Sequence, residues 1–133
     1  MIDIPPQVPQ PVTHQCIHET AQNYQLPTTL IYAVLAVEGG TVGKMSTNTN
    51  GTYDMGPMQI NTIWLEHFGD YVSPSDILYN GCINVQVGAW ILRSRINEAD
   101  GHFWKGVGGY HSRTPDKNRL YQEKVYTQAQ KLR

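Results

Sequence analysis

The 133-residue sequence has no excess of either charge. Ten Lys and Arg stand against eleven Asp and Glu, a net charge of −1. No basic excess or basic run marks a nucleic-acid or membrane-surface partner. No apolar run approaches the ~20 residues that cross a bilayer. The start, Met1-Ile2-Asp3-Ile4, has neither the basic residues nor the apolar stretch of a secretory signal. A mature secreted protein given a starting Met fits that, and so does a cytoplasmic one. There is no internal repeat and no long strand pattern. Gly106-Val107-Gly108-Gly109 is not followed by the Gly-Lys-Ser/Thr of a phosphate loop. His14 and His18 stand four apart around Cys16, without the His-Glu-x-x-His of a zinc hydrolase, and His67, His102 and His111 are scattered. The expectation is no metal and no cofactor.

Cysteine is scarce: Cys16 and Cys82 only. Composition leaves two readings open. One is a pair of separate buried thiols. The other is a bridge across a long loop, stabilising by roughly 4 kcal/mol and requiring an oxidising compartment.

What is present fits one domain, with 40% hydrophobic and 16% charged residues. A chain this long buries roughly two-thirds of its unfolded surface. Four of the eight prolines, Pro5, Pro6, Pro9 and Pro11, fall in residues 1–12, which read as a flexible, extended lead-in. The domain proper is expected over 13–133. Thr13 is a helix cap, and the helix it opens runs to about Tyr24. Leu26-Pro27 breaks it. A second helix, Thr29 to Glu38, is apolar nearly all round and belongs in a core; Gly39-Gly40 stops it. Residues 39–56 read as a long loop or a small irregular β-hairpin, with Asn50-Gly51 as its turn. Further helices are expected from Pro57 to about Phe68, burying Ile60, Ile63 and Trp64, then briefly after Pro74. The last three span about Gly81 to Asn97, His102 to Gly108 and Pro115 to Leu132, the last with Tyr121, Val125 and Leu132 along one face. Trp64, Trp90 and Trp104 are expected in the core. The fold class is mostly α, a single domain with one functional loop.

Glu38 is the most informative residue. It follows Leu35, Val34 and Ile31 by three, four and seven residues, so it continues the buried face of its helix. Burial raises a carboxyl pKa, and so does the negative end of the helix dipole. An acid placed there holds a proton near neutral pH, as a general acid must. The alternative is a glutamate that turns out to solvent at a frayed end. Downstream, Asp54 is either a second carboxylate or a cap for the helix after it. Gln59 and Asn61 carry amides suited to sugar hydroxyl and acetamido groups. Tyr110 is either a donor to Glu38 or to a sugar, or a core tyrosine.

Three segments resemble the SLT-type lytic transglycosylases. Leu26-Pro27, Leu30-Ile31-Tyr32-Ala33-Val34 and Val37-Glu38-Gly39-Gly40 look like that family's entry and catalytic helix. Gly56-Pro57-Met58-Gln59-Ile60-Asn61 looks like its Gly-Leu-Met-Gln motif, and Gly109-Tyr110-His111-Ser112 falls where it carries Ala-Tyr-Asn-Ala. The resemblance spans about residues 14–130. It is nearest the small enzymes that accompany secretion, conjugation and pilus machines. It implies a lysozyme-like fold and Glu38 as the single catalytic acid and base. It implies Met58 and Gln59 lining the sugar cleft, Tyr110 orienting Glu38, and Asn50 near a bound N-acetyl group. It also implies a Cys16–Cys82 disulfide and a periplasmic or secreted monomer. The implied substrate is the peptidoglycan glycan strand, and the implied partners are components of such a machine. The sequence departs from the family at Gly39, usually Ser, at Pro57, usually Leu, and at His111, usually Asn. Asn50-Gly51-Thr52-Tyr53-Asp54-Met55-Gly56 also looks like the loop of animal-type lysozymes, where the Asp is a second carboxylate. The alternatives are thus a hydrolytic lysozyme using Asp54, or a non-catalytic wall-binding module.

Overall fold

A computed structural model of the chain describes residues 3–132. Met1 and Ile2 of the expected lead-in, and Arg133 of the expected domain, lie outside the described residues. Among these residues, seven α-helices surround a buried apolar core and carry one small sheet. Helix α1 spans His14–Tyr24. Thr13 caps it, its hydroxyl accepting from the Cys16 N–H at 3.1 Å. Helix α2, Thr28–Glu38, follows Pro27 and buries Leu30, Ile31, Ala33 and Val34. Its end is set by Gly39 in the left-handed region, φ 63°, whose N–H bonds the Leu35 carbonyl. A side chain resists that conformation, which accounts physically for glycine at this departure from the family pattern.

The loop after α2 leads into three strands: β1 Met45–Thr47, β2 Tyr53–Met55 and β3 Ile60–Asn61. They form one antiparallel sheet in the order β1-β2-β3, with Ser46 opposite Asp54 and Asp54 opposite Asn61. The Asn50-Gly51 turn joins β1 to β2, with Gly51 at φ 85°. The expected Pro57–Phe68 helix is corrected here. Gly56–Gln59 form a turn into β3, a 3-10 turn covers Thr62–Trp64, and only Leu65–Phe68 (α3) is α-helical. Two features stop a helix from starting at Pro57. Gly56 and Gln59 both take positive φ, 69° and 52°, and the Asn61 side chain caps the later turn at the Ile63 N–H. Ile63 consequently points outward, 66% exposed, while Ile60 is buried.

Helix α4 is Pro74–Tyr79, α5 Gly81–Glu98, α6 Phe103–Gly109 and α7 Pro115–Gln130. Helix α5 is the central element, packing on α1, α4 and α6, while α7 packs on α2 and α6. Asn84 of α5 is fully buried. Its Nδ2 donates to the carbonyls of Met55 and Ile77, each at 2.9 Å, and its Oδ1 accepts from the Met58 N–H at 2.8 Å. It pins the sheet's inner turn to the helical core. Cys16 and Cys82 form a disulfide between α1 and the first turn of α5, with Cα atoms 5.8 Å apart. Next to it, Gln10 is bridged to Asn80. The Gln10 N–H donates to the Tyr79 carbonyl, and the Gln10 carbonyl accepts from the Gly81 N–H, both at 2.8 Å. The end of the proline-rich stretch is therefore hydrogen-bonded into the α4–α5 junction.

Candidate active site

Glu38 stands at the C-terminal end of α2, where the chain must leave the core. Gly40, two residues on, lies so close to the Gly56 carbonyl and Gln59 Nε2 that no Cβ fits. The end of α2 is thereby set against the inner turn of the sheet, and Glu38 opens into the space between them. That space is a cleft of about 770 Å³. One wall is the sheet, with Asn50, Asp54, Gln59 and Asn61. The other comes from Glu38, Tyr110, His111 and Lys117, and Trp64 and Arg95 also line the cleft.

The sheet wall is hydrogen-bonded within itself. Asn61 Nδ2 donates to Asp54 Oδ1 and to Thr52 Oγ1, each at 3.0 Å. Asn50 Oδ1 accepts from the Thr52 N–H at 3.1 Å and from its hydroxyl at 2.7 Å. Gln59 Nε2 donates to the Gly56 carbonyl at 3.0 Å. Asp54 sits in mid-strand and caps no helix.

The other wall holds one acid. The Tyr121 hydroxyl donates to Glu38 Oε2. Burial lifts the Glu38 carboxyl from 4.5 to about 7; the Tyr121 bond opposes that rise, the Asp54 charge adds to it, and Lys124 opposes it weakly. Desolvation therefore outweighs the hydrogen bond, and Glu38 holds its proton near neutrality. Burial also pushes the Tyr121 and Tyr110 phenols up, so both remain donors. His111 stacks on Tyr121, ring centroids 5.2 Å apart and planes 14° apart. Partial burial, followed by the charges of Lys124 and Lys117, pushes its pKa below the usual imidazole value. Within the cleft lining, the Arg95 guanidinium lies over Trp64, 5.1 Å from the ring centroid. Arg95 and Arg113 both bond Glu98, at 2.8 Å, and hold its carboxyl down at about 2, with the Arg113 bond the main cause.

Glu38, Asp54, Asn50, Gln59, Asn61 and Tyr110 thus share one cleft. Two expectations are corrected. The Met58 side chain does not line the cleft; it is fully buried, pressed against Gly88 of α5. Tyr110 makes no hydrogen bond to Glu38. Its hydroxyl donates to the Met58 carbonyl at 2.7 Å, and Tyr121, expected only along one face of the last helix, holds the acid instead. A signal for Tyr121 existed: a buried tyrosine hydroxyl needs a partner, and Glu38 was the one acid expected on a buried helix face. Trp64 is on the cleft wall as well as against the core. Among the described residues no cluster of three or more His, Cys, Asp or Glu side chains is arranged to hold a metal ion, and Cys16 is occupied by its disulfide.

A helical domain with a small sheet, a polar cleft and one proton-holding glutamate defines a lysozyme-like architecture. Comparison with known proteins is more specific. The chain matches the family described as Transglycosylase SLT domain over residues 15–132, and it belongs to that family. It is 29% identical over 124 residues to the invasion protein IagB of Salmonella typhimurium, covering 89% of this chain and 77% of that protein. It is 26% identical over 117 residues to the protein IpgF of Shigella flexneri, covering 84% and 76%. A peptidoglycan-binding-like protein of Escherichia coli O157:H7 is 29% identical over 124 residues, covering 84% and 74%.

Proposed function

We propose that this protein is a peptidoglycan lytic transglycosylase that cleaves the MurNAc–GlcNAc bond with Glu38 as its only acid and base. The observation that carries this reading is the Glu38 carboxyl, raised to about 7 on the wall of the cleft. Protonated Glu38 gives its proton to the glycosidic oxygen, and the bond from that oxygen to C1 of MurNAc breaks. The substrate's own acetamido oxygen stabilises the positive charge left at C1. The Glu38 carboxylate then takes the proton of the C6 hydroxyl, and O6 bonds to C1. The products are a free GlcNAc hydroxyl and a 1,6-anhydro-MurNAc end. Glu38 is again protonated, so the step needs no metal and no cofactor.

Asn50, Gln59 and Asn61 are proposed to contact the sugars, with Tyr110 closing the cleft floor over Met58. The sheet-wall bonds support this, because they fix those amides before substrate arrives. A periplasmic or secreted setting is supported by the disulfide and by the substrate itself. The names of two relatives, an invasion protein and a peptidoglycan-binding-like protein, support local opening of the wall for a secretion, conjugation or pilus apparatus, whose components are the proposed partners.

One observation favours a second reading. Asp54 shares the cleft and raises the Glu38 pKa, so it is positioned to orient water for a hydrolytic, lysozyme-like outcome. Mass spectrometry of digested peptidoglycan separates the readings. Anhydro-muropeptides from wild type and none from Glu38→Gln are expected. Reducing ends would transfer the reaction to hydrolysis with Asp54. No release by wild type would leave a wall-binding module.

A further inference from the structure

Around Glu38, most polar groups of the helical wall are already committed. The Tyr121 hydroxyl is on Glu38 and the Tyr110 hydroxyl on the Met58 carbonyl. The Ser112 hydroxyl accepts from the Thr114 N–H at 3.0 Å, and Arg95 and Arg113 are held by Glu98. On this wall, two cleft-lining side chains keep their nitrogens free of hydrogen bonds among the described residues, Lys117 and His111. Lys117 is a long exposed chain that nothing fixes. His111 is fixed. Its N–H donates to the Gly108 carbonyl at 3.1 Å. Gly108 lies so close to Asn118 that no Cβ fits, and Asn118 Nδ2 holds the Lys105 and Ser112 carbonyls, each at 3.0 Å. The imidazole then lies flat on the ring of Tyr121. It lines the cleft and also a hollow of about 200 Å³ that Glu38 lines with it. A ring held this way, with free nitrogens beside the acid, is organised in advance for something that enters the cleft. Burial, then the charges of Lys124 and Lys117, keep it neutral near pH 7 against the opposing pull of Asp54. A neutral imidazole has one N–H donor and one acceptor. It can donate to a sugar oxygen without placing a full positive charge beside C1, where positive charge develops. An ammonium cannot.

We propose that His111 selects the product of cleavage: its ring N–H donates to O6 of the muramyl sugar and holds that oxygen for closure on C1, ahead of water. Closure needs O6 near C1 with its hydrogen turned toward Glu38. A donor on an O6 lone pair supplies both, because it leaves the O6 hydrogen free for the carboxylate. His111 gains and loses no proton in the step. The O6 proton goes to Glu38, and the bond that forms is O6 to C1. This rests on the transglycosylase reading and adds the residue that decides between an anhydro end and a reducing end.

The test reads the ratio of anhydro to reducing-end muropeptides at pH 7, by mass spectrometry of digested peptidoglycan. Wild type is set beside His111→Phe, His111→Ala and His111→Asn. Phenylalanine keeps an aromatic ring on Tyr121 and removes the N–H; alanine removes both. Asparagine loses the ring but restores a neutral N–H donor. The ratio is expected to fall about five-fold in His111→Phe and His111→Ala, the size of one net hydrogen bond. In His111→Asn it should stay within about two-fold of wild type. A role in packing alone would slow release without moving the ratio. An unchanged ratio in His111→Phe and His111→Ala would therefore overturn the proposal, whatever their rates, and so would an equal fall in all three variants. No release by the phenylalanine and alanine variants would overturn it too, because His111 would then be needed for cleavage itself rather than for its outcome. Each of these results leaves the transglycosylase reading intact. A wild type that yields only reducing ends, or no release, would overturn that reading and this proposal with it.

Discussion

The two walls of the cleft are built on opposite principles. On the sheet wall, Asn50, Thr52, Asp54, Gln59 and Asn61 satisfy one another or the backbone. On the helical wall, Glu38 is buried past the point where its one hydrogen bond compensates, and its pKa rises to about 7. Satisfied polar groups give shape, and an under-satisfied acid gives reactivity. The molecule keeps them apart by placing one on short strands and turns and the other at a helix end, and Asn84 anchors the sheet wall to the helical core.

The largest effect should come from breaking the helical wall. Glu38→Gln should lower turnover by about a thousand-fold, the range of general acid–base catalysis, as read by release of muropeptides. The same change should stabilise the fold at high pH. The folded-state pKa of Glu38 is raised from 4.5 to about 7, so its contribution is fully present below pH 4.5 and is lost as pH rises through 7. At pH 8 the ionised carboxylate costs about 3 kcal/mol. Urea unfolding of wild type and Glu38→Gln at pH 4 and pH 8 checks the sign. A variant no more stable at pH 8 than at pH 4, relative to wild type, would contradict it.

Cutting the anchor of the sheet wall in the helical core comes next. Asn84→Ala orphans two carbonyls and an N–H in the core and should destabilise by about 3 kcal/mol, visible as a lower urea midpoint. If stability is unchanged, the sheet is held by something other than this residue. Sharpening the helical wall is subtler. Tyr121→Phe removes the hydrogen bond that lowers the Glu38 pKa, so the pH–rate profile should shift upward and kcat should fall by about ten-fold. A profile that stays in place would mean that Tyr121 only packs. The smallest effect belongs to the sheet wall. Asn61→Ala should cost about 1–2 kcal/mol of stability and raise KM more than it lowers kcat. A purely kcat effect would move Asn61 into the chemistry.

The comparison also explains what could be read in advance. The helices are legible because their signals are local: Thr13 before α1, Pro27 and Gly39 around α2, and prolines opening α4 and α7. Glu38 is legible for the same reason, since its burial follows from the face it continues. The sheet's far strand was not. Residues 57–68 read as a helix, yet the turn there depends on positive φ at Gly56 and Gln59 and on Asn84, 26 residues past Met58. That is tertiary context overriding local pattern. The two tyrosines exchange roles for a similar reason. Tyr121 meets Glu38 across 83 residues, and Tyr110 meets Met58 across 52, so neither partner is fixed by neighbouring sequence. The resemblance supplied Tyr110; the packing of α7 on α2 supplies Tyr121.

The most direct test is the titration of the Glu38 carboxyl itself, followed by carbon NMR of the side chain in the wild-type protein from pH 3 to pH 9. A midpoint near 7 is predicted, moving higher in Tyr121→Phe. A midpoint near 4.5 would contradict the account, because the residue would then be an ordinary surface carboxylate with no proton to give at neutral pH.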